Sequence, residues 1–414
     1  MRRFERIYDV VEPAEDYRRG GYHPVHLHDI YNQRYSVIGR LTFGQFSTVW
    51  LADDQSLQQH VALKILKSDA SKDSKELAVF LHLSAVKPDH PGKRHVLELL
   101  DYFTHDGPNG THLCLVLPVM VSDGKGMTIT GKPHQVAYIQ SISKQLYRFS
   151  SYSRHYLQPA NIMFSTVKAS HSDILLEPPE ISPVRWLEGS TADDSAPKYL
   201  IAMQRRRGQL DGADVSELLV KVGNLGGVMQ GEEFSNKPVT PTALRAPELI
   251  HQNAWNAGID VWALGCLVCS PGPLNTITPC DSRKVFELAT NEPLFPLGTF
   301  GLSAEQINEE HLGLISQMLN ENGQMDEAFV KHLKDRLPPN FGARNIHCLA
   351  SFLWSMLQQD PQKRMSTAEL LSHLFFCWRS LELKNTTGLT LFDLQPEIQS
   401  FSIPIGSITA NARG

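Results

Sequence analysis

One lysine inside an apolar run constrains the fold of this chain more than any other residue. Lys64 is the only charged residue in the run 61–66, which otherwise holds valine, alanine, leucine and isoleucine. A lysine within a strand of this kind is rarely buried unless an acidic side chain pairs with it. The helical pattern at 74–83 offers Glu76 as that partner. The sequence therefore predicts a strand and a helix held together by a Lys64–Glu76 ion pair.

Residues 34–51, ahead of this strand, alternate apolar and polar side chains around Gly44, which predicts a β-hairpin. A glycine in such a turn lets backbone N–H groups approach phosphate oxygens. A lysine on the next strand neutralises the α- and β-phosphates, and a helix glutamate holds that lysine. Gly44, Lys64 and Glu76, in this order, predict a lobe that binds the phosphates of ATP. In the alternative interpretation, Lys64 is a strand-end lysine whose stem snorkels toward water.

The predicted phosphate loop keeps one of its three usual glycines, because Thr42 and Ser47 stand at the other two positions. Two further strands, predicted at 95–104 and 112–120, lead into a hinge that lines the adenine pocket. Pro118 in that hinge has no N–H, so adenine must contact its neighbours. The nucleotide-contacting residues predicted in this way are Leu41, Thr42, Phe43, Gly44, Gln45, Phe46, Ser47, Thr48, Val49, Ala62, Lys64, Glu76, Val119 and Met120.

Residues 157–164 match the second half of a protein-kinase catalytic loop. In that loop an Asp accepts the substrate proton, and an Asn five residues later binds a metal ion. Asn161 occupies the metal-ligand position, whereas Tyr156 stands where the Asp is expected. His155 is the candidate surrogate base, since an imidazole titrates near neutral pH.

A second carboxylate is missing from the predicted metal loop. The apolar run 218–222 predicts a strand that ends at residues 223–226, where protein kinases carry an Asp that holds magnesium. Asn224 occupies that position and is neutral. The sequence therefore predicts a site for ATP and Mg²⁺ in which Asn161 and Asn224 would hold the metal weakly.

Several runs resemble the SR-protein kinase family, and most closely its divergent fungal-type branch. The runs are 20–25 (Gly-Gly-Tyr-His-Pro-Val), 46–51 (Phe-Ser-Thr-Val-Trp-Leu) and the Leu-Gln-Pro at 157–159, within a resemblance that covers roughly residues 10–380. It implies an α+β, bilobal protein-kinase fold, with a small antiparallel β-sheet N-lobe carrying one main helix and a larger, mostly α-helical C-lobe. It also implies serine phosphorylation in Arg/Ser-rich splicing proteins with ATP and Mg²⁺, and hence a role in mRNA splicing regulation. Gln158 replaces the lysine that is usual in the family's catalytic loop.

The resemblance also implies landmarks in the large lobe. Glu248 and Arg364 match the family's structural ion pair, and residues 258–265 match a central helix whose Asp260 braces the catalytic loop from below. The predicted domains are a lead-in at 1–33, an N-lobe at 34–118, a C-lobe at 119–376 with a spacer at 165–215 and an insert at 269–285, and a tail at 377–414. The segment 148–156, which leads into the catalytic loop, is several residues shorter than the family pattern. One hypothesis explains both this shortening and the insert by misread exon boundaries, which sequencing the transcript across both junctions would test.

Composition excludes several classes of function. The net charge is −5 over 414 residues with both signs dispersed, which gives no case for direct nucleic-acid or membrane binding. No run is long and apolar enough for a transmembrane helix. The six scattered cysteines suit a reducing compartment, so we expect a monomer in the cytoplasm and/or nucleus. The Cys266/Cys269 pair is interpreted as ordinary buried thiols, with a zinc or redox role as the alternative.

Two functions remain open at this point. The first is an ATP-dependent serine/threonine kinase that acts on Arg/Ser-rich proteins despite its two altered catalytic positions. The second is a pseudokinase, a scaffold that binds nucleotide and/or protein partners without phosphorylating them.

Overall fold

The computed structural model describes twelve stretches of the chain. They are residues 2–7, 11–85, 89–123, 136–152, 161–166, 177–204, 214, 216–227, 240–268, 294–298, 301–319 and 325–376. The insert 269–285, the tail 377–414 and Cys269 lie outside these described residues.

The first lobe is built on an antiparallel sheet of six strands in the order β1-β2-β3-β4-β6-β5. The strands are β1 (Ile30–Tyr31), β2 (Tyr35–Gly44), β3 (Ser47–Asp54), β4 (Gln59–Leu66), β5 (Asp101–Gly107) and β6 (Gly110–Pro118). The predicted hairpin around Gly44 and the predicted strand that carries Lys64 are both confirmed. The last residues of β2 and the first of β3 pair through Gly44 and Ser47, which leaves Gln45 and Phe46 as the turn.

The start of β5 differs from the prediction of a strand at 95–104. Residues 96 and 97 leave this sheet: Val96 forms a parallel bridge to Val222, and the Leu97 amide donates to the Val222 carbonyl at 2.9 Å. An apolar run can satisfy its backbone on any available strand edge, and this one pairs with the strand that leads into the metal loop.

Helix α2 (Lys75–Ala85) packs on the sheet, after the short helix α1 (Ser68–Ser71). Its buried residues are Glu76, Val79, Phe80 and Leu83, which follow the i, i+3, i+4, i+7 spacing of one helical face. The predicted helix at 74–83 is thereby confirmed. Because Glu76 shares this face with three apolar residues, its carboxylate points into the lobe.

The second lobe is mostly helical in the part of the chain that the structure describes. Its helices are α3 (Val136–Tyr152), α4 (Pro247–Ile250), α5 (Gly258–Val268), α6 (Ala304–Met318), α7 (Glu327–Lys334), α8 (Ala343–Trp354) and α9 (Thr367–Leu371). Helix α3 is amphipathic, and Ile139, Ile142 and Leu146 on its apolar face are fully buried. A three-stranded sheet of β7 (Ser122–Asp123), β8 (Ile162–Thr166) and β11 (Leu218–Val222) lies beside this helix.

The ion pair predicted between Glu248 and Arg364 is present. The Arg364 guanidinium donates to both carboxylate oxygens of Glu248, at 2.6 and 2.8 Å, and both side chains are buried. Arg364 also lies over the ring of Trp262 in α5. The pair connects α4, α5 and the segment that precedes α9, so it stabilises the packing of the helical lobe.

Residues 177–204 of the predicted spacer pack against the lead-in and the six-stranded sheet. They form the two-stranded ribbon of β9 (Ile181–Pro183) and β10 (Tyr199–Ile201). Ile201 is buried in the hydrophobic cluster of the six-stranded sheet, and the Ser195 carbonyl accepts a hydrogen bond from Asn109. The domain boundaries themselves remain a prediction.

The lead-in is anchored to β2 by a buried ion pair. Arg40 is 0% exposed, and its Nη2 lies 2.8 Å from Oε2 of Glu12. The Tyr17 hydroxyl donates to the other oxygen of Glu12, and the Arg40 guanidinium stacks on Trp50 at 4.3 Å from the ring centroid. Two charges removed from water in this way must remain paired, because either one alone would be left buried and uncompensated.

We predict that Glu12→Gln destabilises the protein by about 3–5 kcal/mol, because it leaves Arg40 buried without its counter-charge. The matched control is Glu5→Gln, which breaks the exposed pair between Glu5 and Arg185 at 3.8 Å. That pair is worth less than about 1 kcal/mol. Urea unfolding measures both variants, and equal losses of unfolding free energy would contradict the assignment of Glu12 as the buried anchor.

Candidate active site

A buried ion pair lies at the centre of the first lobe. Lys64 on β4 places its Nζ 2.7 Å from each carboxylate oxygen of Glu76 on α2. The two residues are 6% and 5% exposed. Glu76 Oε1 also accepts the backbone N–H of Leu225 at 3.1 Å, so the carboxylate has partners on both lobes. The pairing predicted from the sequence is confirmed.

Asn224 connects this ion pair to the candidate metal ligand. Its Oδ1 accepts from Lys64 Nζ at 2.9 Å, and its Nδ2 donates to Asn161 Oδ1 at 3.0 Å. The lysine ammonium can only donate, which fixes the amide oxygen of Asn224 toward Lys64 and its nitrogen toward Asn161. Asn224 has a φ of +54°, a left-handed conformation that asparagine adopts more readily than most residues.

The strands β8 and β11 bring Asn161 and Asn224 together across 63 positions of sequence. These strands pair in antiparallel register, with Val222 opposite Ile162. Asn161 directly precedes the paired residues of β8, and Asn224 follows those of β11 after Gly223, whose N–H donates to the Asn161 carbonyl at 2.8 Å. The register of two strands thus places the two predicted metal ligands side by side.

The buried side chain of His95 contacts the backbone of β11. His95 Nδ1 lies 2.9 Å from the Val220 carbonyl. Burial lowers the pKa of His95 to about 4, although this hydrogen bond opposes the shift. The imidazole is therefore neutral at pH 7 and donates from Nδ1, since a carbonyl can only accept. His95 was missed as a site residue, and its place at the start of a predicted strand gave no signal of this contact.

The two asparagines fit Mg²⁺ poorly in this arrangement. Magnesium is held by oxygen ligands, usually with at least one carboxylate. Here both groups are neutral amides, Asn224 turns its nitrogen toward Asn161, and Asn161 Oδ1 already accepts that nitrogen. Within the described ranges, no group of three or more His, Cys, Asp or Glu side chains is placed to hold a metal ion.

The phosphate-loop turn has open space where a nucleotide would approach. A Cβ built on Gly44 would meet no atom within 4 Å, so the packing of the protein does not itself require glycine there. Gly44, Gln45 and Phe46 are exposed, and Thr42 and Phe43 are half-buried. A site for ATP phosphates beside this turn fits the residues present.

Five of the apolar residues predicted to contact the nucleotide lie together. Leu41, Ala62 and Met120 are buried in one hydrophobic cluster, and Val49 and Val119 pack against it. Thr48 and Ser47 differ, because both are buried. The Thr48 hydroxyl accepts a hydrogen bond from the Trp50 indole at 3.0 Å and so belongs to the packing of the sheet. Tyr156, His155 and Gln158 lie outside the described residues, and their roles stay predictions.

No protein-family model matches the chain. A serine/threonine-protein kinase SRPK of Physarum polycephalum is 27% identical to it over 418 aligned residues, which cover 87% of this chain and 90% of the relative. Protein kinase dsk1 of Schizosaccharomyces pombe is 25% identical and covers 89% of this chain and 81% of its own length. The human SRSF protein kinase 3 is 39% identical over 112 residues, which are 26% of this chain and 20% of the relative.

The chain is a homologue of the SRPK-family protein kinases. Among solved structures, the crystal structure of a kinase domain superposes with a TM-score of 0.54 at 18% identity, over 86% of this chain and 98% of that domain. The bilobal kinase fold predicted from the sequence is confirmed. Among the described residues, no helix is both long enough and apolar enough to span a bilayer.

We predict that Asn224→Asp makes nucleotide binding by this SRPK-family homologue dependent on metal. The substitution keeps the shape of the side chain and adds a carboxylate beside Asn161. The affinity for ATP should then rise on the order of tenfold between EDTA and Mg²⁺, whereas the wild type should gain little. Asn253→Asp, which adds the same charge at an exposed position of the helical lobe, is the control. Isothermal titration of ATP in both buffers is the measurement, and equal metal dependence in the wild type and Asn224→Asp would contradict the prediction.

Proposed function

We propose that this protein is a serine/threonine protein kinase of the SR-protein kinase type, which takes ATP beside Lys64 and phosphorylates serines in Arg/Ser-rich proteins. The observation that carries the proposal is the formed Lys64–Glu76 pair, with 2.7 Å from Nζ to each carboxylate oxygen. In protein kinases this pair must be in place for phosphoryl transfer. Homology to SRPK-family kinases supports the same function.

Each predicted residue of the cleft has a defined task in this proposal. The Lys64 ammonium neutralises the α- and β-phosphates, and Glu76 holds the ammonium in position. The open turn at Gly44 lets backbone N–H groups approach the phosphates. The buried cluster that contains Leu41 and Met120 supplies an apolar wall for adenine.

Transfer of the phosphoryl group depends mainly on positioning and on electrostatic stabilisation, because its transition state is loose. The loss of the catalytic-loop Asp therefore slows the reaction without removing every contribution. Tyr156 occupies that position, and His155 is the proposed surrogate that orients the substrate hydroxyl. Mg²⁺, when bound, would supply charge on the phosphates. The neutral amides of Asn224 and Asn161 would hold it weakly, so turnover is expected to be slow.

A second candidate function is a pseudokinase, a scaffold that binds nucleotide and/or protein partners. The hydrogen bond between Asn224 and Asn161 favours it, because each amide satisfies the other where a kinase holds its metal. In this case Lys64 would still bind phosphates, so that nucleotide would stabilise the protein without metal and without phosphate transfer.

The proposed substrate, oligomeric state and cellular location are those of an SR-protein kinase. A net charge of −5 is compatible with a basic Arg/Ser-rich substrate. We propose a monomer that acts in the cytoplasm and/or the nucleus, where Arg/Ser-rich splicing proteins would be met.

The test combines a thermal shift with ATP, with and without Mg²⁺, and phosphate transfer to an Arg-Ser repeat peptide. Lys64→Met, made in a background that also carries Glu76→Gln so that no buried carboxylate is left unpaired, should abolish both the shift and the transfer. The phosphates lose their counter-charge while the side-chain volumes are kept. The control is Lys75→Ala, which removes an exposed lysine at the start of α2. Metal-dependent transfer that survives in Lys75→Ala and is lost in Lys64→Met supports the kinase. A metal-independent shift without transfer supports the pseudokinase. The absence of any ATP shift in the wild type contradicts both the kinase and a nucleotide-binding pseudokinase.

A further inference from the structure

The lead-in contacts the phosphate-loop turn through one tyrosine. The Tyr22 hydroxyl donates to the Gly44 carbonyl at 2.6 Å. Gly44 is the glycine of the turn that the proposed function assigns to ATP phosphates. We propose that Tyr22 is a positioning residue, which holds the backbone of this turn in the position that phosphate binding requires. The nucleotide part of this inference rests on the proposed function, whereas the contact itself does not.

Tyr22 is held in place by side chains that do not belong to the turn. Its side chain is 2% exposed and packs against Tyr17, with 5.5 Å between the ring centroids. The Lys67 ammonium lies 4.1 Å from the centre of the Tyr22 ring, and Asp16 accepts a hydrogen bond from that ammonium at 2.8 Å. Burial raises the pKa of Tyr22 to about 12, so the hydroxyl keeps its proton and donates it at neutral pH.

The backbone that carries Tyr22 is fastened to the sheet lobe on two sides. The Gly20 N–H donates to the Asn109 carbonyl at 2.9 Å, and the carbonyls of Gly20 and Gly21 accept from the amides at the start of α1. The Asn109 side chain in turn donates to the Tyr22 carbonyl at 2.6 Å. These bonds fix the main chain immediately before and at Tyr22. The backbone atoms from which the Tyr22 side chain extends therefore have a fixed position.

The two glycines are required for this fastening. Gly20 has a φ of +83°, and a Cβ there would come within 2.3 Å of the Asp69 carboxylate. A Cβ on Gly21 would come within 1.8 Å of the Asp16 carbonyl oxygen. Gly21 has no room for a Cβ, and the φ of Gly20 is one that other residues rarely adopt, so the Gly-Gly-Tyr run is needed to bring Tyr22 onto the turn.

The lead-in therefore holds the second half of β2 at two points. The buried Glu12–Arg40 pair holds β2 four residues before the turn, and Tyr22 holds the turn itself. The far side of the turn is fixed independently, because the Lys67 N–H donates to the Phe46 carbonyl at 2.8 Å. Removal of the Tyr22 hydroxyl should thus free one specific point, the Gly44 carbonyl, without unfolding the hairpin.

The test compares Tyr22→Phe with Tyr35→Phe in the full chain. Tyr35 is a matched control: it is also fully buried in the sheet lobe, and its hydroxyl donates at 2.6 Å, but to Asp101 rather than to the turn. Both variants lose one hydroxyl and one hydrogen bond of equal length. Only the first loses a bond to the phosphate-loop turn.

Two measurements separate the loss of the Tyr22–Gly44 hydrogen bond from its effect on ATP binding. Hydrogen exchange of the peptide that spans the turn, measured without nucleotide, should be faster in Tyr22→Phe and unchanged in Tyr35→Phe. The dissociation constant of ATP should rise roughly fivefold in Tyr22→Phe, the usual effect of one lost hydrogen bond, while that of adenosine stays constant. A purely structural role would weaken ATP and adenosine equally.

Each outcome decides the inference. Faster exchange together with a selective loss of ATP affinity supports it. Unchanged exchange in Tyr22→Phe overturns it, and so does faster exchange with wild-type ATP affinity. A wild-type protein that binds no ATP refutes the proposed function and the nucleotide role of Tyr22 together, and this failure is recognised in the wild type before any variant is measured.

Discussion

The structure of the cleft depends on one buried contact, the pairing of the Lys64 ammonium with the Glu76 carboxylate. Neither charge can be left alone at 5–6% exposure, so β4 and α2 must keep their relative position for the lobe to fold. The carboxylate also accepts the Leu225 N–H, which comes from the segment after β11. A requirement of stability thereby fixes the geometry between the sheet lobe and the metal-loop segment. The same ammonium, oriented by the same glutamate, is what a nucleotide phosphate would need.

At Asn224 the difference from an ordinary kinase site is one of chemistry, an amide in place of a carboxylate. Asn224 stands where an Asp would stand and keeps the contact with Lys64, but its second contact is an amide N–H donated to Asn161. A carboxylate at that position would turn two acceptor oxygens toward the same space. Lys64, Asn224 and Asn161 thus form a hydrogen-bonded chain in the place where a protein kinase holds its metal. The fold and the Lys64–Glu76 pair are formed although this position carries no carboxylate.

The parts of this arrangement that were predicted correctly are those in which a single sequence pattern leaves few alternatives. A lysine within an apolar strand needs a nearby acid, and Glu76 on the apolar face of the next helix was the available one. Arg40 shows the opposite case. It occupies a polar position of an alternating hairpin, and nothing in that pattern indicates that it is buried against Glu12. The contact of Tyr22 with Gly44 was unpredictable for the same reason, since local periodicity does not report which loop covers a turn. Residues 177–204 lack periodicity altogether, so their packing on the sheet lobe could not be foreseen.

The central claim is that Lys64, as oriented by Glu76, is a phosphate-binding group. The most direct measurement is a crystal structure of the protein with a non-hydrolysable ATP analogue. The account predicts that the Lys64 ammonium contacts the α- and β-phosphate oxygens, that Glu76 keeps its contact with Lys64, and that the turn at Gly44 covers the phosphates. An analogue bound away from Lys64, or bound with its phosphates turned to solvent and Lys64 still satisfied by Glu76 and Asn224 alone, would contradict it.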